Sequence, residues 1–318
     1  MIAMAGIAVI ATACGGNSNS ASSASSASPT GPEKPNLVVA VVPAEAQAGL
    51  YIAQAKGLFT KAGLHVTIKP VVSALTVVPS LLHGSVDIAG GQYPTYIAAQ
   101  AKGLTQMRIL AAGFALGPHV NEIVAPATGS VHSLADLKGK TIAVNILNSE
   151  GADLIYSSLK LHGITPAQVH LVAMPFPAML PALAAGKIAA AYETEPFVTE
   201  AAKKYGDKEL ADMSSGPTTD MPLTGYGTLA SWVAKYPRTA AAFTKAVEQG
   251  NAIAGSNHAV LAQVLATALH LSPKITGVMA TGTFPTSANP AQIQRVANLM
   301  LQYGQLKQPL NVKQMIEG

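Results

Sequence analysis

The chain has 318 residues, 49% hydrophobic and 11% charged, which supplies a substantial core and excludes a chain disordered throughout. Twenty Lys and Arg against 16 Asp and Glu leave a formal charge of +4 with no basic run interleaved with aromatics, which argues against a nucleic-acid partner. A single cysteine excludes an internal disulfide and a multi-thiolate metal cluster.

That cysteine, Cys14, follows an apolar run over residues 1–13 and precedes Gly15 and Gly16. At about 1.5 Å per residue the run falls short of the roughly 30 Å of a bilayer core, so residues 1–13 read as a signal peptide. Thr12 and Ala13 ahead of the cysteine resemble a bacterial lipobox, which implies a lipid attached to Cys14. Residues 14–35 read as the lipidated cysteine and a flexible Ser/Ala tether, since the uncharged stretch from Asn17 to Pro29 has nothing with which to build a core. The expected location is the cell membrane, lipid-anchored on its extracytoplasmic face, either periplasmic or at the cell surface.

From Asn36 onward short β-branched runs alternate with Ala-rich stretches of helical spacing, the signature of an α/β fold. The first block predicts strands over 37–42, 65–71, 86–89 and 108–112. Helices over 48–56, 75–83 and 96–102 intervene, with Gly57, Gly84 and Gly103 placed to terminate them. This alternation predicts a mostly parallel sheet. The hexapeptide Ala-Gln-Ala-Lys-Gly-Leu occurs at 53–58 and again at 99–104 and reads as two similar helix ends, because no fixed period extends it. A second block predicts strands over 122–125, 141–144, 170–173 and 188–192, with helices over 150–162 and 178–185. Beyond Lys204 an apolar run covers 226–233, and helices follow over 237–254, 258–270 and 291–303. Two blocks imply two lobes. A helical tail with little strand of its own packs most simply on the first sheet, giving a discontinuous lobe I of residues 36–118 and 222–318 and a lobe II of residues 119–221. The crossovers predict a hinge near residues 119–121 and 221–225.

Several segments, in this order, resemble the solute-binding proteins of ABC importers of the nitrate/sulfonate/taurine type, a group that includes carriers of a thiamine pyrimidine precursor. They are Gly49–Phe59, Gly63–Val66, Leu82–Ala89, Asp136–Val144 and Leu183–Ile188, and the resemblance spans residues 37–318. It implies a type II periplasmic-binding-protein fold with ligand in a cleft between two lobes. It also implies a small-molecule solute and an ABC transporter permease as partners, a monomeric state, and no cofactor or metal. At Gly186-Lys-Ile-Ala-Ala190 the chain has Ala189-Ala190 where such proteins usually carry Asp-Ala.

In open α/β sheets ligands sit beyond the carboxyl ends of strands, and the loops there supply the candidate ligand-binding residues. They are Gln47, Ser73, Gly91, Gln92, Tyr93, Phe114, Asn145, Asn148, Ser149, Glu193 and Glu195. Ser73 reads equally as a helix cap. Residues 90–95 read as a turn whose glycines admit a ligand near the backbone, or as an ordinary turn capped by Thr95. Residues 145–149 precede a helix and offer free N–H groups to an anion. The alternative is an N-cap at Asn148 or Ser149 whose helix dipole is already answered by Glu150 and Asp153. Glu193 and Glu195, two apart at a strand end, would suit a cationic or amino-bearing ligand. A carboxylate about 5 Å from an anion at an effective dielectric near 20 repels it by roughly 3 kcal/mol, more than a helix terminus returns. The alternative has Glu195 capping a helix that begins at Pro196, with Glu193 in solvent.

The function read from these features is an extracytoplasmic solute-binding lipoprotein, not an enzyme, that delivers a sulfonate-, nitrate- or taurine-like or an aminopyrimidine-like molecule to an ABC importer. The alternatives are an extracytoplasmic sensory binding protein and a pyrimidine-metabolism enzyme on the same fold. The sequence shows no nucleophile with its base, no His-Glu-x-x-His helix and no phosphate-binding glycine loop.

Overall fold

The computed structural model describes residues 31–317; the signal run, Cys14 and the Ser/Ala stretch lie outside the described residues. Ten strands form two five-stranded sheets. The first block contributes β1 (Asn36–Val41), β2 (His65–Pro70), β3 (Ile88–Gln92) and β4 (Met107–Ala115). The second contributes β5 (Asn121–Ala125), β6 (Thr141–Val144), β7 (His170–Ala173), β8 (Ala190–Thr194) and β9 (Lys208–Asp212), and β10 (Pro222–Leu229) follows.

The sheet orders are β2-β1-β3-β10-β4 and β7-β6-β8-β5-β9. In the first sheet β1 runs parallel to β2 and β3, whereas β10 is inserted antiparallel to both β3 and β4. In the second, β6 is parallel to β7 and β8, and β5 is antiparallel to β8 and β9. Four of the five strands of each sheet run in one direction, as the expected mostly parallel order has it, and β10 and β5 run against them to make both sheets mixed. The cause is long-range pairing: residues 222–229 return from the second block to complete the first sheet, which no local pattern announces. The architecture is α/β with two sheets and flanking helices, the type II periplasmic-binding-protein fold with two lobes and a cleft between them.

Both copies of the repeated hexapeptide end helices, over Ala48–Ala55 and Tyr93–Ala101. Gly57 at φ 66° and Gly103 at φ 64° take the left-handed conformation that stops each one. The long helix Pro237–Ser256 lies across β4 and against helix Ala48–Ala55. The two backbones approach so closely that a Cβ on Gly250 would stand 2.0 Å from the Gly49 carbonyl oxygen. Beside them the fully buried Asn251 donates to the carbonyls of Ala112 (3.0 Å) and Pro285 (2.7 Å), binding the helix to β4 and the tail. Phe243 stacks on Phe59 and meets Tyr226 edge-on, filling the space beneath the sheet.

The tether read as ending at residue 35 gives way to fixed structure sooner. The Glu33 carboxylate accepts hydrogen bonds from the backbone N–H groups of Arg238 and Thr239, at the start of the long helix. These bonds outweigh burial and hold Glu33 down to about 2.

Two segments connect the sheets, residues 116–120 between β4 and β5 and residues 213–221 between β9 and β10. They run side by side where the Leu116 N–H donates to the Met221 carbonyl at 2.9 Å. The second crossover, expected at 221–225, lies at residues 213–221, because residues 222–229 are β10 and pair with β3 and β4. Each connection carries one non-glycine residue in the left-handed region, His119 (φ 60°) and Asp220 (φ 53°). Such conformations cost of order 1 kcal/mol or more and persist where surrounding structure imposes them.

Candidate functional site

The carboxyl ends of β1, β3, β6 and β8 meet between the two sheets. The chain leaves β1 into Glu45–Gln47, β3 directly into a helix at Tyr93, β6 through Asn145–Ser149 into helix Glu150–Lys160, and β8 into Glu195. Groups from the two sides feel one another there: burial raises Tyr93 and Glu45, and the charge of Glu150 adds to the first and that of Glu195 to the second. The returning segment near residue 280 joins the sides, its Ala280 N–H donating to Glu195 (2.9 Å) and its Gly282 N–H to Glu45 (3.3 Å).

Buried polar atoms without partners collect at this junction. They include Glu45 Oε2, Gln47 Oε1, Asn121 Oδ1, Asn145 Oδ1, Glu150 Oε2 and Asp153 Oδ2. An unpaired buried acceptor costs about 1 to 3 kcal/mol, so a concentration of them in one place marks groups that wait for a partner from outside. The Asn121 amide donates to the Tyr192 hydroxyl at 2.6 Å, leaving its own oxygen free. A Cβ on Gly151 would stand 2.8 Å from the Tyr192 ring, so a glycine one residue into the helix lets the Glu150 backbone reach Tyr192.

The electrostatics are one-sided. Among the described residues no buried side chain is a Lys, Arg or His, whereas Glu45, Glu150, Asp153, Glu193 and Glu195 are all buried. Burial is the main cause that pushes each carboxyl upward: Asp153 to about 8, Glu193 to about 9, Glu45 and Glu150 well above the ordinary range. Asp153 adds its charge to the burial of Glu150. Asp153 and Glu193 are therefore protonated near pH 7 without a partner, and an approaching N–H donor or ammonium group would favour the ionised form of each buried acid.

The sequence-derived residues divide into several groups. Gln47, 3% exposed, lies in the junction, with its Oε1 2.6 Å from where a Cβ on Gly90 would stand. Tyr93 is buried over Gly225 and within reach of Glu150, and the partly exposed Gln92 is the last residue of β3. The turn expected at residues 90–95 is absent, because β3 runs on through Gly90, Gly91 and Gln92 straight into the helix. Gly91 points at the Tyr96 hydroxyl, on the opposite side from Gly90 and Gln47. Phe114 packs edge-on against Phe284 at 5.4 Å and, with Tyr93, lines a cavity of about 200 Å³ that extends to Ser287 and Gln292. Ser73 is partly exposed, and its Oγ accepts the Leu75 N–H at 3.2 Å, the capping role.

Asn145 is in the junction with a free Oδ1, while Asn148 is exposed at φ 53°. Ser149 is buried and donates to the Ile146 carbonyl instead of capping the helix. Glu193 and Glu195 have different surroundings. Glu193 is fully buried, projects from the face of β8 opposite Tyr192, and lies near Glu200 and Asp207. The Glu195 carboxylate accepts from the Thr199 N–H (3.1 Å), the Thr199 hydroxyl (2.8 Å) and the Ala280 N–H. It tends the short helix Phe197–Glu200, which begins one residue later than expected, and Pro196 precedes it.

Sequence reasoning passed over Glu150 and Asp153 by assigning them to the helix dipole. Their exposures of 4% and 2% show that they face inward. The available signal was their i, i+3 spacing on a helix whose apolar residues Leu154, Ile155 and Leu159 are also core.

Comparison with known proteins agrees with this architecture. Over 200 residues the chain is 30% identical to the taurine-binding periplasmic protein of Escherichia coli (strain K12), a stretch that takes in 61% of this chain and 59% of that protein. It superimposes on the periplasmic aliphatic sulphonate binding protein SsuA of Escherichia coli with a TM-score of 0.73 at 17% identity, covering 88% of this chain and 97% of that one. The periplasmic nitrate-binding protein NrtA of Synechocystis PCC 6803 gives a TM-score of 0.75 at 17% identity, over 89% and 85%. No helix among the described residues is long and apolar enough to cross a membrane. Residues 45–258, two thirds of its length, match the family described as NMT1/THI5 like, and the chain belongs to this family.

Proposed function

We propose that the chain is an extracytoplasmic solute-binding protein that delivers a small molecule to an ABC importer and performs no chemistry on it. In this reading residues 36–118 with 222–318 and residues 119–221 are the two lobes, and a lipid on Cys14 holds the body at the membrane. The similarity to binding proteins named for taurine, sulphonate and nitrate supports the class.

The observation that carries the ligand's chemistry is the set of unpaired, buried acceptors at the junction with no buried cation among them. Gln47, Asn121 and Asn145 offer carbonyl oxygens, and Glu45, Glu150 and Asp153 offer carboxyl oxygens. A solute rich in N–H donors, such as an aminopyrimidine or a primary amine, satisfies them. A bare anion such as nitrate finds no buried cation there, and any carboxyl that ionises at about 5 Å from it repels it by about 3 kcal/mol. Taurine, with an ammonium group beside its sulfonate, is intermediate.

Thermal denaturation of the full chain with an aminopyrimidine, taurine, ethanesulfonate and nitrate tests this assignment. A true solute at about 100 times its Kd adds roughly 2.7 kcal/mol, which raises Tm by about 5 °C or more. The amino-bearing compounds should give that rise. A rise with nitrate or ethanesulfonate and none with the amines would overturn the assignment.

A further inference from the structure

On the outer side of the first connection a second group of titratable side chains gathers, away from the unpaired acceptors of the junction. His119 belongs to that connection, Glu122 to β5 and Glu209 to the edge strand β9. The His119 Nδ1 lies 3.2 Å from Glu122 Oε1 and 3.0 Å from Glu209 Oε2, and the three ligand atoms are all within 4.8 Å of one another. A tetrahedral Zn²⁺ with bonds of about 2.0 to 2.1 Å separates its ligands by roughly 3.3 Å, a spacing the two His119–carboxylate separations already approach.

The backbone builds this placement. Glu122 pairs with Asp212 and Ile123 with Ala211, but Val124 pairs with Glu209, one residue beyond regular register. The bulge at Leu210 turns Glu209 onto the face of Glu122 and Val124, where Leu210 would otherwise point.

The surroundings are short of positive charge. A cavity of about 340 Å³ opens beside the three residues, and its wall adds Glu195 and Asp207 against the single Lys203. Glu193, wholly buried, has neither carboxyl oxygen hydrogen-bonded. It stands opposite Glu122 in the β5–β8 register, projects from the same face and lies near Asp207, whose Oδ2 is also buried and unpaired.

We propose that His119, Glu122 and Glu209 bind a divalent transition-metal cation, Zn²⁺ by its preference for a mixed nitrogen and oxygen set, with its open position facing the acidic cavity. The ion would join the first connection to β5 and the edge strand, fixing the root about which the two sheets move. None of the three ligand residues is among the unpaired acceptors of the junction, although the cavity beside them shares Glu195 and Ala280 with it, and the proposal does not rest on the identity of the solute.

The test is titration of the EDTA-stripped full chain with ZnCl₂ alone, read by competition with a chelating dye, and with Co²⁺ as a spectroscopic probe. The expected result is one ion per chain at micromolar affinity or tighter. Glu209→Gln, at a partly exposed strand edge, and His119→Ala should each weaken it by about tenfold or more and remove the visible Co²⁺ bands. Absence of stoichiometric Zn²⁺, or an affinity unchanged from the wild type in both variants, would overturn the proposal. No solute is present in the titration, so its outcome is independent of the transport reading.

Discussion

Replacing Glu150 with Gln keeps the volume of a side chain that is 4% exposed and removes its ability to ionise. In the solute-free protein, burial first and Asp153 second push Glu150 well above its ordinary 4.5. A carboxyl raised on folding contributes its full stability below the unfolded value and loses it as pH rises toward the folded value, because only the unfolded chain then releases the proton. The loss is about 1.4 kcal/mol per pH unit per group. Across pH 5 to 7 the Gln variant should therefore gain stability relative to the wild type, by at most about 1.4 kcal/mol per pH unit, read by urea unfolding across that range. Solute binding should move in the opposite direction. A positive group about 4 Å from the ionised carboxylate at an effective dielectric near 20 contributes roughly 4 kcal/mol, and after partial neutralisation a loss of about 30-fold or more in affinity is expected. Parallel pH–stability curves for variant and wild type would refute the buried titrating carboxyl, and unchanged affinity by calorimetry would remove Glu150 from the site.

Asp153, at about 8, is protonated near pH 7, so binding of a cationic solute should expel protons. Calorimetry in two buffers of different ionisation enthalpy measures that release, and identical enthalpies in both would contradict it. Gly49→Ala should destabilise the fold by about 3 kcal/mol, since the new Cβ would stand 1.8 Å from Asn251 Oδ1 on the facing helix. A urea midpoint equal to that of the wild type would show that the two helices yield more easily than their packing indicates.

The features legible in the sequence were those with local causes. The β-branched runs at 36–41, 65–70 and 141–144, and the glycines that stop helices, announce themselves within a few residues. The edge strand Lys208–Asp212 was not legible, because its charged residues suit solvent as readily as a strand. The course of β10 also stayed hidden: Gly225 and Gly227 weaken any strand pattern, yet they are required beneath Tyr93 and Tyr96, whose rings would collide with a Cβ there. The site was half legible. Strand-end reasoning reached Gln47, Tyr93 and Asn145, but Glu150, Asp153 and Asn121 are functional candidates only because the two sheets face each other, a relation that local sequence patterns do not encode.

The most direct test of a donor-rich solute between the sheets is the structure of the complex with whichever amino-bearing compound stabilises the chain. The account predicts a solute nitrogen within about 3.2 Å of Glu150 or Glu45 and of the amide oxygen of Gln47 or Asn145. A solute whose anionic oxygens occupy those positions, or one seated elsewhere with the six acceptors still unpaired, would contradict it.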